Sequence, residues 1–117
     1  MPRHWRLRVE DILDAMALVE SFTKDLKLSG FRKDVRTRHA VIHNLQVIGE
    51  SARHIPEAIK RKHIHIPWRK IVGLRNVLVH QYFGTDIRIV WRTATKVLRT
   101  LKSDFRSMLD TDLADDG

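Results

Sequence analysis

Apolar residues along the 117-residue chain recur at steps of three and four, the period of a helix, and nowhere alternate with polar ones over a useful length. Val9, Ile12, Leu13, Met16, Val19, Phe22 and Leu26 make one stripe, with Glu10, Asp14, Lys24 and Asp25 largely off it. Glu10 and Asp11 suit the positive end of that helix. Ser29-Gly30 predicts its stop, since glycine readily takes the left-handed conformation of a helix C-cap. A second helix is predicted from about Arg32, with Val41, Ile42, Leu45, Ile48, Gly49 and Ala52 on one side. Gly49 lowers helix propensity there by about 1 kcal/mol, so its use points to close packing against another helix. Pro56 fits the first turn of a short third helix, Glu57 to about His63, and Pro67 opens a fourth at Trp68. The fourth, WRKIVGLRNVLVHQYF, is expected to stop near Gly84. Thr85 or Asp86 then caps a last helix carrying Ile89, Val90, Val97, Leu98, Leu101, Phe105 and Met108. The pattern predicts an all-α fold, a bundle of four long helices plus one short one.

Composition narrows the class without changing this architecture. The length suits one domain over residues 1–117, and a hydrophobic fraction of 43% argues against wholesale disorder. The absence of cysteine excludes disulfides, cysteine-ligated zinc and thiol catalysis, and no cofactor is expected. No apolar run approaches the roughly 20 residues of a membrane span, and MPRHWRLRVED lacks the apolar core of a secretory signal. The expectation is a soluble, cytoplasmic protein with no membrane partner.

Charge sharpens the question of partner. The net charge is +8. Residues 1–30 carry five basic and five acidic residues; residues 31–109 carry 17 basic against five acidic, net +12. The end, 110–117, has four acids and no base, and reads as a frayed, disordered tail. A basic body of this kind suggests an anionic partner, with nucleic acid the commonest.

The candidate chemistry lies in one stretch, Gly73 to Gly84. Arg75, Asn76, His80 and Tyr82 are interleaved there among positions that otherwise read as core. Arg75 and Tyr82, seven apart, share a helix face, and Asn76 and His80, four apart, share a neighbouring one. Arg75 and His80 are about 140° apart round an ideal helix. They converge only through arginine's reach, a widened last turn, or a second copy of the chain.

Read as Arg-x4-His-x-Tyr, this stretch resembles the HEPN superfamily of ribonucleases, specifically the HepT-like toxins. RVEDILDAM at 8–16, AVIHNLQVIGESARHIPE at 40–57 and IPWRKIVGLRNVLVHQYFGTDIRIVW at 66–91 are similar to that family's blocks, in order and spacing. The last helix departs from it: KVLRTLKSDF is basic and lacks the Leu-Pro pair and acidic run found in many members. The resemblance implies a HEPN-like bundle, dimeric, that cleaves RNA without metal by attack of a ribose 2′-OH on the adjacent phosphate. Histidine, with an ordinary pKa of about 6.5, suits proton transfer near neutral pH. An arginine fork matches phosphate oxygens. His80 is therefore assigned as acid/base, Arg75 as phosphate clamp and Asn76 as positioner. Tyr82 corresponds to the tyrosine that a cognate minimal nucleotidyltransferase modifies with AMP, silencing the toxin of a type VII-like toxin–antitoxin pair.

Two other functions stay open at this stage: a catalytically silent basic bundle that binds RNA, and an interaction partner of a nucleotidyltransferase. Arg53, Lys60, Arg61 and Lys62 are candidate contacts to an RNA backbone, which position without specifying sequence. His39 and His43, with Glu50 seven residues on, have ligand-like spacing. An i,i+4 histidine pair on a basic helix nonetheless reads better as solvated, and His63-Ile64-His65 carries still less of a metal signal. No metal site is assigned. Trp68 and Trp91 fall in apolar stripes and read as packing residues rather than base-stacking platforms.

Overall fold

The structure, a computed structural model, describes residues 3–76 and 86–111, and among these every regular element is helical. Helix α1 (Trp5–Thr23) buries Val9, Ile12, Ala15, Met16 and Val19. It ends sooner than the Ser29-Gly30 signal predicts. The Thr23 hydroxyl donates to the Val19 carbonyl at 2.9 Å, a local bond that competes with the helical ladder. Phe22, still inside the helix, is exposed, and Leu26 lies beyond its end.

Ser29 and Gly30 sit inside a short helix that the sequence pattern does not suggest, α2 (Leu28–Lys33). Its reason is Phe31, fully buried and packed on the Trp91 ring at 5.0 Å between centroids. Burying an aromatic ring outweighs the helix penalty of one glycine.

Helix α3 (Val35–Arg53) starts at Val35 rather than Arg32 because Asp34 caps it. The Asp34 carboxylate accepts from the Thr37 backbone N–H at 3.0 Å and from its hydroxyl at 2.7 Å, which holds this carboxyl below its usual range. Val41, Ile42, Leu45, Ile48, Gly49 and Ala52 are all buried, as the sequence pattern predicts, and α3 lies against α1 as the central pair of the bundle. Helix α4 (Glu57–Lys62) follows within a residue of expectation, flanked by buried Ile55 and Ile66.

The fourth segment differs from the uninterrupted helix expected. It runs as α5 (Trp68–Val72) and then tightens into a 3₁₀ turn, Gly73–Asn76. Residues 77–85, with the rest of that predicted helix, lie outside the described residues.

Asp86 is the cap of the last helix, one of the two candidates named from sequence. Its carboxylate accepts from the Arg88 backbone N–H at 2.9 Å and from the Arg88 guanidinium at 2.7 Å, and is thereby lowered to about 2. Helix α6 (Ile87–Arg92), a wider π turn (Thr93–Val97) and α7 (Leu98–Thr111) follow without a break. In that π turn the hydroxyls of Thr93 and Thr95 donate to the carbonyls of Ile89 and Trp91, at 2.9 and 2.8 Å. Val90, Ala94, Leu98, Leu101, Phe105 and Met108 face the core. Ile89, 61% exposed, and Val97 do not, although the sequence pattern counts both in the stripe.

Trp68 meets Phe105 edge-on at 5.7 Å and donates its ring N–H to the His63 carbonyl at 3.0 Å, so Trp68 and Trp91 are packing residues. The Arg6 guanidinium lies 5.2 Å over the Trp5 ring and donates to the Leu109 carbonyl, tying the start of α1 to the end of α7. The last helix continues through Asp110 and Thr111; residues 112–117 of the acidic end lie outside the described residues. No helix among the described residues is long and apolar enough to cross a membrane.

Candidate functional site

The turn carrying Arg75 is pressed directly onto α3. A Cβ built on Gly49 would lie 2.4 Å from the backbone nitrogen of Arg75, 3.1 Å from its Cα and 3.0 Å from the Val72 carbonyl oxygen. No side chain fits there, which explains a glycine in the middle of a helix. One turn earlier, the Gln46 amide donates to the Arg75 carbonyl at 3.4 Å. The close packing read from Gly49 is thus present, and the element it admits is the backbone on either side of Arg75.

Glu50, next in the chain, organises the charges. One carboxylate oxygen accepts from the Arg53 guanidinium at 3.1 Å and faces the His54 ring nitrogen at 3.0 Å. The other lies 3.9 Å from an Arg75 guanidinium nitrogen. The hydrogen bond with His54, followed by the Arg53 charge, holds the Glu50 carboxyl below its usual range. Helix α3 presents Glu50 and His54 four residues apart on one face, so the carboxylate reaches back to its own helix and across to the turn. Arg75 is exposed, and among the described residues only one edge of its guanidinium comes within ion-pair distance of a carboxylate. A fork held in this way keeps donors for a second anion, and a phosphodiester has the matching geometry.

The sequence-derived residues fare differently. Asn76 closes the 3₁₀ turn beside Arg75 and is exposed. His80 and Tyr82 lie outside the described residues. Among the proposed RNA contacts, Arg53 belongs to the Glu50 cluster, and Arg61 and Lys62 are exposed. Lys60 is mostly engaged in packing: its side chain is 11% exposed, its ammonium 3.7 Å from Glu57 and 5.8 Å from the centre of the Trp68 ring. A cavity of about 750 Å³ opens between α4 and α5, lined by Lys60, Arg61, Trp68 and Arg69 among others. His39 and His43 are exposed on α3, His63 is buried, and His65 stands 3.6 Å from Asp104. Among the described residues no group of three or more His, Asp or Glu is placed to hold a metal ion.

The part sequence reasoning missed is the Gln46–Glu50–His54 side of the site. Glu50 is weighed there only as a distant companion of His39 and His43. The available signal was the i,i+4 pair Glu50/His54 immediately after a buried glycine, which marks where α3 meets another backbone.

Comparison with known proteins bears on this arrangement. Residues 12–108 match the family described as Ribonuclease HepT-like. A protein of Thermococcus cleftensis named as a probable ribonuclease HepT is 39% identical over 108 residues, covering 92% of this chain and 98% of that one. A presumptive RNase of Methanocaldococcus jannaschii is 39% identical over 99 residues, 85% of each chain. Another, of Caldanaerobacter subterraneus, is 32% identical over 101 residues, 86% of this chain and 90% of its own. No solved structure matches significantly.

Proposed function

The chain belongs to the HepT-like ribonuclease family, and from that membership we propose that it is a metal-independent endoribonuclease, the toxin of a type VII-like toxin–antitoxin pair. The observation that carries the reading is Arg75 itself, an exposed guanidinium steadied by Glu50 on a turn that Gly49 locks in place. In this account the ribose 2′-OH attacks the adjacent phosphorus, and His80 accepts its proton. Arg75 holds the non-bridging oxygens, on which charge grows as the phosphorus becomes five-coordinate. Asn76 orients the His80 ring or the substrate. The bond to the 5′-oxygen breaks and that oxygen takes a proton, leaving a 2′,3′-cyclic phosphate and a 5′-hydroxyl. One His80 per chain supplies one proton-transfer group, and a homodimer that sets two motifs side by side supplies the second. Arg53, Arg61 and Lys62, with Lys60 in a lesser part, contact the RNA backbone.

Silencing follows from charge. Transfer of AMP from ATP to the Tyr82 oxygen by a cognate minimal nucleotidyltransferase, with release of pyrophosphate, creates a phosphodiester seven residues along the chain from Arg75. That anion competes with substrate for the guanidinium. Co-expression with such a nucleotidyltransferase, followed by intact-mass measurement, tests the regulation. The expected result is an AMP-sized adduct that disappears in Tyr82→Phe; no adduct, or one that survives the substitution, ends the idea.

A further inference from the structure

The last helix carries a second basic feature that the site at Arg75 does not use. From residue 87 to 109 it holds six basic residues and one acid, Asp104, which already faces His65 at 3.6 Å. Arg88, Arg92, Lys96, Arg99 and Arg106 are all exposed, on the side opposite the buried Val90, Ala94, Leu98, Leu101 and Phe105. Arg88 is bound by Asp86. Arg92, Lys96, Arg99 and Arg106 have no carboxylate within ion-pair distance among the described residues. They follow one another at four, three and seven residues, a row about 21 Å long at 1.5 Å per residue. Like charges four apart on a helix repel, a cost that an anion bound along the row would offset. Here one sign is kept throughout.

Beside the row, a cavity of about 300 Å³ opens between α1 and the last helix, with Lys24 on one wall and Arg99 on the other over Met16 and Leu98. The acid in this cleft is already occupied. Glu20 bonds the Lys102 ammonium at 3.1 Å, and that bond, helped by Arg99 and Arg106, keeps its carboxyl low. An anion lying along the row therefore meets cations on both walls and no uncommitted carboxylate. The row begins at Arg92, sixteen residues after Asn76, so it shares a molecule with the Arg75 site without sharing its residues.

We propose that this face is a phosphate track that holds the backbone of single-stranded RNA away from the reacting phosphodiester, with Arg92, Lys96 and Arg99 as its centre and Lys24 closing the cleft. The inference rests on the ribonuclease reading for the identity of the polyanion. It gives the enzyme a grip on long RNA that is independent of sequence at the cut.

The test is binding of a 2′-O-methyl RNA 20-mer, which has no 2′-OH to attack, followed by fluorescence anisotropy over a range of salt. R92A/K96A/R99A should weaken binding about tenfold or more at low salt, and its log–log salt slope should be shallower by about 2, the value for three lost single-strand contacts. The control, K33A/R36A/K70A, removes the same charge from exposed positions that are assigned no RNA contact and should cost clearly less. Far-ultraviolet circular dichroism establishes that both variants fold. Equal losses from the two variants reduce the effect to bulk charge and overturn the track while leaving the ribonuclease reading intact. A wild type that binds through the track yet cleaves no RNA overturns that reading and keeps the track. Failure of the wild type to bind the 20-mer, or binding to anionic phosphatidylserine vesicles alone, overturns the track.

Discussion

Gly49 and Arg75 are in backbone contact: a methyl group on Gly49 would lie 2.4 Å from the Arg75 nitrogen and cannot be accommodated without moving the turn. The atoms in the way are backbone, so the displaced element is the one that aims Arg75. Gly49→Ala should therefore cost about 1–3 kcal/mol in stability and reduce RNA cleavage by more than that loss explains. Gly73→Ala is the internal comparison. Nothing lies within 4 Å of its added Cβ and its φ is −61°, so it should leave stability unchanged or raise it by about 0.4–1 kcal/mol. Thermal melts and cleavage rates of the two variants separate local strain from the general effect of adding a methyl group.

Glu50 faces solvent, and exposed ion pairs contribute little to stability. Its expected role is to steady Arg75. Glu50→Gln should leave Tm nearly unchanged yet lower kcat/KM roughly tenfold or more, the scale of a misplaced clamp. A fall in Tm that matches the activity loss would instead make Glu50 a structural residue.

Phe105 is fully buried and supports the Trp68 ring that opens α5. Phe105→Ala should destabilise by about 3–5 kcal/mol, a drop in Tm of more than about 10 °C in a chain of this size. The check is a melting curve on wild type and variant at matched concentration.

Acid should unfold the protein in a definite window. Asp86, lowered to about 2 by Arg88, stabilises the fold fully above the unfolded carboxyl pKa of about 3.9 and loses that contribution as pH falls toward 2. Asp34, Glu20 and Glu50 are lowered too and act in the same direction. Tm should fall as pH drops from 5 to 2, and Asp86→Asn should flatten the decline between about 4 and 2. A Tm that rises on acidification would contradict the assigned pairs.

Local signals read well from sequence where the cause is local. The buried stripe of α3 and the Asp86 cap depend on near neighbours, and each is present; Gly49 marks close packing by its own residue type, although the backbone it admits, at Arg75, lies 26 residues on. The start of α3 lies three residues beyond Arg32 because the Asp34 carboxylate caps it. Ser29-Gly30 has the local signature of a stop, but the burial of Phe31 against Trp91, sixty residues away, overrides glycine propensity there. The switch from α5 to a 3₁₀ turn, and the π turn that precedes α7, carry no clear pattern of their own. Within the site, Arg75 and Asn76 stood out as polar groups in an apolar run. Glu50 did not, since its tie to Arg75 spans 25 residues of chain and exists only once the turn has docked on Gly49.

The central claim is that Arg75 and His80 cut RNA without a metal. Its most direct measurement is cleavage of a defined RNA in excess EDTA by unmodified wild type, Arg75→Ala and His80→Ala, with the product ends identified by mass. Wild type should cleave to 2′,3′-cyclic phosphate and 5′-hydroxyl ends, and both variants should lose at least about a hundredfold in rate. Equal cleavage by all three proteins, or wild-type activity that vanishes with EDTA, would contradict that claim.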